Sequence, residues 1–588
     1  MFELLFRFLL LCLVFLGLYQ FSLNTLKIKA EFIPLFNCSL IGIVIFIAGI
    51  LNILKEAATI IIVFAVFYLL YSIISKKFQY NVSIGILYFA GLILYFAILF
   101  KGKMFIHYDD FSHWGLIARE ISLTNMFPNF ESDLITFQSY PTGSASFIYF
   151  IARILGSTEG VFLFAQSILI AASMTTFFAF VKKNKILNTI IIVIATVFCL
   201  IAYNSPFVLL VDTLLPLIGI AVTVIIIFYF KKNSLTEAFF IIVPISSFLI
   251  IIKNSSIFFV VINAILLAYC IFKNERSLKK SLPFGLASIG IPYTLTYLWK
   301  KHVEQVFPAA LESKHSMSLN NYESVLLSKS NSDINNITDA FVQKMTTLSN
   351  TDMTIIVFLL STITFIFIYK YFVLKKDFKS IIEWKLLVAN LLIYIIYQFS
   401  LWAMYIVSMP LSEALALAAY QRYSYTIIIF LYGINILYII IFNQEIDFKK
   451  NTLSIYKLLL VLMLALIPVV IRDKTEDIVN LATFNENELP IRNLLKKSLE
   501  GHTVPKDGKY FIYISDNELL NKSGILTYLS RYELRSTNIK IINNNALKES
   551  LFEEERYLLI LQNDEKMQDL LEENGFNGFE KPLIKLEN

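Results

Sequence analysis

The chain has 588 residues, 57% of them hydrophobic and 16% charged, with a formal net charge of +6 and a mean hydropathy of +0.67. Soluble domains are about a quarter charged, so this composition excludes a soluble globular enzyme and points to a polytopic protein whose first partner is the lipid bilayer. The net charge says little alone, because the placement of the lysines matters more; no nucleic-acid partner is expected.

A bilayer crossing needs about 20 apolar residues. Suitable runs lie near 3–21, 32–53, 57–75, 83–100, 161–181, 187–203 and 208–230. Others lie near 236–252, 256–272, 283–299, 354–374, 384–408, 424–442 and 456–471. The expected fold is an all-α polytopic membrane protein of about 13–14 transmembrane helices. The first run lacks a basic leading region and a small-residue cleavage site, so it reads as a span rather than a cleaved signal. Cys12, Cys38, Cys199 and Cys270 all fall inside apolar runs. They suggest small buried residues, not a disulfide framework or a zinc cluster.

Basic residues set the sidedness. One set of alternate loops holds Lys27, Lys29, Lys76, Lys77, Lys182, Lys183, Lys185, Lys231 and Lys232. The same set continues with Lys273, Arg276, Lys279, Lys280, Lys370, Lys375, Lys376, Lys379, Lys449 and Lys450. The opposite short loops hold Lys55, Lys253 and Arg422. Nineteen against three makes the first set cytoplasmic. The long loops 101–160 and 300–353 then face outward in the plasma membrane, as does the tail from 472.

That tail, 472–588, is charged and Asn-rich. Short β-type runs at 510–514, 539–542 and 557–561 alternate with helical stretches near 486–499, 517–531 and 564–574. The alternation predicts a small extracytoplasmic α/β domain with a mainly parallel sheet. His502 stands alone there and reads as a surface residue. The remaining chain divides into N-terminal spans over 1–82 and a main transmembrane unit over 83–471. The Ile-, Lys- and Asn-rich usage fits an AT-rich bacterial genome.

The chemistry-bearing positions lie on the outward side. Asp109 and Asp110 stand in His107-Tyr108-Asp109-Asp110-Phe111-Ser112-His113-Trp114, between two long apolar stretches. Ionisable groups so close to lipid read as functional by default, and two neighbouring carboxylates must be wet, paired or proton-sharing. The bland alternative is a solvated loop entry. His107 and His113 flank the pair and could complete a divalent-metal site for Mg or Mn, although both are also ordinary loop residues. After Tyr140-Pro141-Thr142-Gly143-Ser144, the run Ala145–Arg153 is too short to span and is expected at the interface. Asp212 stands at the outer end of an apolar run, where helix capping is the alternative. Lys253 and Arg422, the latter followed by Tyr423, are outer-side cations for which snorkelling is the alternative.

In their order and common sidedness these elements resemble the polytopic GT-C glycosyltransferases, in particular the branch with protein mannosyltransferases and lipid A aminoarabinose transferases. The resemblance covers about residues 83–471. It rests on Asp109-Asp110, Ala118-Arg119-Glu120, Tyr140-Pro141, Asp212, Lys253 and Arg422-Tyr423. The family motif more often has Glu at the second acidic position and two prolines after the aromatic residue. The resemblance implies a polyprenyl-phosphate sugar donor and a cell-envelope glycan, lipid or protein as acceptor. It implies Asp109 as general base and Asp110 as its support, with Lys253 and Arg422 on the lipid phosphate. Asp212, Tyr423, His113 and Tyr140 would be substrate-binding.

Two other functions compete. A polysaccharide polymerase or ligase would act on similar donors, but such enzymes usually rely on outward arginines. A transporter or flippase of lipid-linked sugars would place charges near the midplane and show paired broken helices; here the charges gather at one interface.

Overall fold

The computed structural model describes residues 2–130, 132–182, 184–201, 206–307, 319–347, 383–445, 490–502, 505, 508–515, 523–543, 556–562, 564–573 and 583–586. Its first helices are α1 (Phe2–Asn24), α2 (Ile33–Ile50), α3 (Leu54–Ile74) and α4 (Ile84–Leu99). The loop after α4 folds into α5 (Tyr108–Ser112), α6 (Trp114–Thr124) and α7 (Gly143–Leu155). Then come α8 (Glu159–Thr175), α9 (Lys185–Ile201), α10 (Leu214–Lys231), α11 (Leu235–Ile252), α12 (Ile257–Glu275) and α13 (Leu278–Val306). Two polar helices, α14 (Leu319–Leu327) and α15 (Asn331–Thr346), precede α16 (Glu383–Val407), α17 (Leu411–Leu415) and α18 (Tyr420–Glu445).

Among the described residues nine helices are long and apolar enough to cross a membrane: α1, α2, α3, α8 with its 3-10 continuation to Phe180, α10, α11, α12, α16 and α18. The expected spans at 83–100 and 187–203 form α4 and α9, shorter apolar helices of 16 and 17 residues. The one expected at 283–299 lies inside α13, which carries Pro283 and Pro292. Those expected at 354–374 and 456–471 lie outside the described residues.

Burial sorts the helices into a centre and a rim. The most apolar stretch of α8 is 94% buried and that of α10 83% buried, against 22% for α1 and 17% for α16. Hydropathy cannot make this distinction, because lipid and protein interior are equally apolar. Close approach and polar contacts make it instead. A Cβ on Gly433 of α18 would lie 2.7 Å from the Ile220 side chain of α10. Asn263 of α12 donates to the Gly219 carbonyl of α10 at 2.9 Å and accepts from Thr223 at 2.7 Å.

The lysine-bearing loops gather at one end of this bundle. Lys29 and Lys232 both lie over the Phe228 ring, at 5.4 and 4.8 Å, and Lys273 lies over Phe230 at 5.3 Å. The Lys182 N–H donates to Gln444 near the end of α18. Asp109, Asp212, Lys253 and Arg422 meet at other helix ends, so the alternation of charge along the chain is an alternation in space.

One interfacial expectation is corrected. Helix α7, which contains Ala145–Arg153, does not lie on the bundle surface: all its residues except Arg153 are buried. It packs against α2, α6 and α8. A helix apolar on nearly every face, with Gly143, Ser144, Ala145 and Ser146 at its start, suits close protein packing better than a half-wet interface.

The tail forms α19 (Pro490–Leu499), β1 (Tyr510–Tyr513), α20 (Ser523–Leu534), β2 (Ile539–Ile542), β3 (Arg556–Ile560), α21 (Glu565–Glu573) and β4 (Leu583–Leu586). The sheet order is β2-β1-β3-β4, parallel except for the antiparallel β3–β4 pair. Thus the predicted mainly parallel α/β unit is present, with β4 as an unpredicted edge. Central β1 is buried on both faces, as a covered parallel strand should be. Phe511 and Tyr513 pack with Met567 and Leu571 of α21. Tyr510 and Ile512, on the opposite face, join Leu526 and Tyr532 in a core continuous with the membrane bundle. His502 is half-buried, and its Nδ1 lies 3.2 Å from the Glu500 carbonyl.

Candidate active site at the helix ends

Helix α5 is a single turn that aims its two carboxylates apart. His107 caps it, with Nδ1 accepting the Asp109 N–H at 3.1 Å. His113, at φ −148° and ψ −72°, breaks the chain before α6. Adjacent residues on a helix diverge by about 100°. Asp109 therefore reaches one neighbour and Asp110 another.

Asp109 Oδ2 lies 2.6 Å from Nη1 of Arg422, in the first turn of α18. Nε of the same guanidinium stands 3.5 Å from Asp212 Oδ2, an ion pair without hydrogen-bond geometry. Asp212 precedes α10, and its Oδ1 accepts from Lys253 Nζ at 2.9 Å. Lys253 sits in extended backbone between α11 and α12. The Tyr423 ring closes the group, 5.2 Å from Lys253 Nζ and 5.2 Å from the Arg422 guanidinium carbon. The Tyr423 hydroxyl accepts a 3.4 Å bond from Arg422 Nη2. The result is a row of alternating charge: Asp109, Arg422, Asp212, Lys253.

This geometry decides the bland alternatives. Asp212 does not cap α10: Thr213 holds that position with no side-chain bond. Lys253 and Arg422 do not snorkel, since their side chains are only 14% and 19% exposed and both are ion-paired. Burial opposes ionisation of Asp212, but the Lys253 and Arg422 charges outweigh it and hold the carboxyl below its ordinary range. Lys253 has the mirror behaviour. Burial disfavours its charge, yet Asp212 and Tyr423 raise its pKa overall.

Asp110 stands apart from that row. It is fully buried, and Oδ1 accepts the Leu209 N–H at 2.9 Å. Burial pushes its carboxyl well above the ordinary range, although the Leu209 bond opposes this. Gln166 of α8 donates to the Val208 and Leu210 carbonyls of the same segment, at 3.0 and 3.3 Å. Asp110 and Gln166 thus hold the segment leading to Asp212.

His113 and Tyr140 form an aromatic wall. The His113 ring is buried among Trp114, Phe137 and Tyr140, at centroid distances of 4.7, 5.4 and 5.1 Å. Burial, aided by the Lys253 charge, lowers its pKa to about 3, so the imidazole is neutral. Burial likewise raises the Tyr140 phenol. His107 Nδ1 caps the helix and stands 3.8 Å from Asp109 Oδ2, whereas His113 faces rings, so the two imidazoles do not gather with both aspartates in one donor set. Among the described residues no three of His, Cys, Asp and Glu come together at metal-binding spacing.

Two residues of the sequence motif serve elsewhere. Arg119 donates to the Tyr532 carbonyl at 2.7 Å and stacks on its ring, and Glu120 pairs with Arg535 at 2.9 Å. Both therefore dock the tail domain. Sequence reasoning missed the residues that receive them, together with Glu159 and Arg492, which pair at 2.6 Å. Glu159 reads as an ordinary first-turn acid of a span and Arg492 as a surface cation; neither carries a local signal.

An apolar groove of about 290 Å³ opens between α4 and α9, lined by Tyr88, Leu92, Phe96, Leu99, Leu200 and Phe207. Phe207 leads directly into the Val208–Leu210 segment held by Gln166 and Asp110. No known protein family matches the chain, and no curated protein or solved structure does either.

Proposed function

We propose that the chain is a membrane glycosyltransferase that moves a sugar from a polyprenyl-phosphate donor to a hydroxyl of a cell-envelope acceptor, on the outer face of the plasma membrane. The observation that carries this reading is the charge row at the helix ends. Its outermost member, Asp109, is 22% exposed and is backed by two cations. Such a row offers a base to an incoming hydroxyl and positive charge to a departing phosphate, a few ångströms apart.

In this reading the donor phosphate takes the place of Asp109 on Arg422, whose fork suits phosphate oxygens. The freed Asp109 carboxylate accepts the proton of the acceptor hydroxyl as that oxygen bonds to the anomeric carbon. The bond from that carbon to the phosphate oxygen breaks, and the electron pair leaves with the polyprenyl phosphate. Arg422 and Lys253 meet the charge that develops there, where preorganised cations act most strongly. Proton transfer to a positioned base is typically worth about 10²–10⁴-fold. The groove between α4 and α9 is apolar along its length and suits an isoprenoid chain entering from the bilayer.

Surface glycans compared by mass spectrometry between a deletion strain and an Asp109→Asn strain test the proposal. Both should lack the same glycan while the variant protein accumulates normally. A wild-type glycan profile in the Asp109→Asn strain would remove the reading. Lipid-linked sugar building up on the inner leaflet of the deletion strain, with Asp109→Asn silent, would replace it with a flippase.

A further inference from the structure

Among the contacts between the C-terminal domain and the helical bundle is a buried arginine that reaches the backbone leading into the Asp109 helix. Arg492 of α19 is 5% exposed at its side chain. Its Nη2 donates to Glu159 Oε1 at 2.6 Å and its Nη1 to Glu159 Oε2 at 2.9 Å, and its Nε donates to Glu533 at 2.8 Å. Nη1 also donates to the Phe105 carbonyl at 3.1 Å. Glu159 in turn accepts the Phe105 N–H at 2.6 Å and the Tyr532 hydroxyl at 3.0 Å.

Both polar groups of the Phe105 backbone are therefore held by the two halves of one ion pair. Phe105 stands just ahead of His107, the cap of α5. The guanidinium carbon lies 5.3 Å from the centre of the Phe111 ring, on the far side of the same helix. Tyr532 and Tyr528 of α20 complete the seat, 5.4 Å from Phe111 and 5.0 Å from Tyr108.

We propose that Arg492 is a positioning residue for Asp109: through Glu159 and Phe105 it holds α5 where Asp109 meets Arg422, which makes the membrane site depend on docking of the C-terminal domain. The inference rests on Asp109 being the base. An apolar patch would dock two domains at least as strongly as a buried arginine between carboxylates, because burying these charges is costly. The ion pair adds direction, and that direction is spent on the backbone of Phe105.

Hydrogen exchange of the full-length protein in detergent micelles tests this without any substrate. In Arg492→Met, amides of residues 104–113 should exchange at least about tenfold faster, while α10 and α11 keep their wild-type rates. Arg492→Lys, which keeps the charge but not the fork, should recover part of the protection and part of the cellular glycan product. If Arg492→Met does not accumulate, Tyr532→Phe carries the test. It removes one hydroxyl on Glu159 and should speed the same amides by about two- to fivefold. Wild-type exchange at 104–113 in a folded Arg492→Met or Tyr532→Phe protein would overturn the positioning role. So would glycan product lost equally in Arg492→Met and Arg492→Lys. Sugar transfer surviving in Asp109→Asn would sink the catalytic reading instead, and would leave the exchange result standing.

Discussion

Arg422 and Asp109 lie 313 residues apart in the chain and 2.6 Å apart in space. The pair joins the loop after α4 to the last described apolar helix, and Asp212 and Lys253 extend it to two more helix ends. Removing one partner of such a half-buried pair strands the other, which can cost several kcal/mol. Tests of function must therefore separate chemistry from folding.

The two aspartates should respond differently to the same change. In the proposed mechanism Asp109→Asn removes the base, and it should lower transfer by at least about 10²-fold with normal protein levels. Asp110→Asn keeps an oxygen for the Leu209 N–H, and burial already favours the neutral carboxyl there. Its transfer activity should stay within about threefold of wild type. Asp110→Ala strands a buried N–H and should cost about 1–3 kcal/mol of stability, read as a lower thermal midpoint. An Asp110→Asn protein as inactive as Asp109→Asn would reverse the assignment.

Arg422→Lys tests the fork. A lysine can meet Asp109 or Asp212 but not both at once, and it presents one point to a phosphate. Transfer should fall by about tenfold or more, chiefly through donor binding, while the protein remains folded. Kinetics in isolated membranes with varied donor would show a raised donor KM. An unchanged KM would separate Arg422 from the phosphate.

The Asp212–Lys253 pair sets a pH window for stability. The Asp212 carboxyl sits below its ordinary 3.8 in the folded chain, so its contribution is present above that value and is lost as pH falls through the lower folded one. Lys253 sits above its ordinary 10.5, so its contribution is full below that value and is lost as pH rises further. The thermal midpoint of the wild type should therefore show little dependence on this pair between about pH 4 and 10. A comparison with Lys253→Met checks the sign. The gap between the two proteins should shrink only below about pH 4, as Asp212 takes up a proton, and a gap that widens there would contradict the pairing.

Sidedness is testable with single cysteines in a Cys12→Ser background, since Cys12 is an exposed native thiol. Glu500→Cys in the tail should react with a membrane-impermeant maleimide on intact cells. Lys231→Cys, at the lysine-rich end, should react only after permeabilisation. Labelling in the opposite order would invert the topology and place the charge row on the cytoplasmic face.

What the sequence alone determined follows from short-range physics. Long apolar runs must become helices in lipid, because every backbone group needs an internal partner. Loop lysines mark one end of those helices, and alternating runs in the tail become a mainly parallel sheet. The isolated charges at Asp109, Asp212, Lys253 and Arg422 were visible for the same reason, since each is costly beside lipid. Only the tertiary structure decided which charge faces which. It turned Asp110 inward to Leu209 while Asp109 met Arg422, a divergence of one residue on a five-residue helix. It also buried α7 and gave Arg119 and Glu120 to the tail domain. The Arg492–Glu159 clamp was decided there too, because its value depends on a contact 333 residues away in the chain. Local sequence reports the cost of placing a charge, and only the fold supplies its partner.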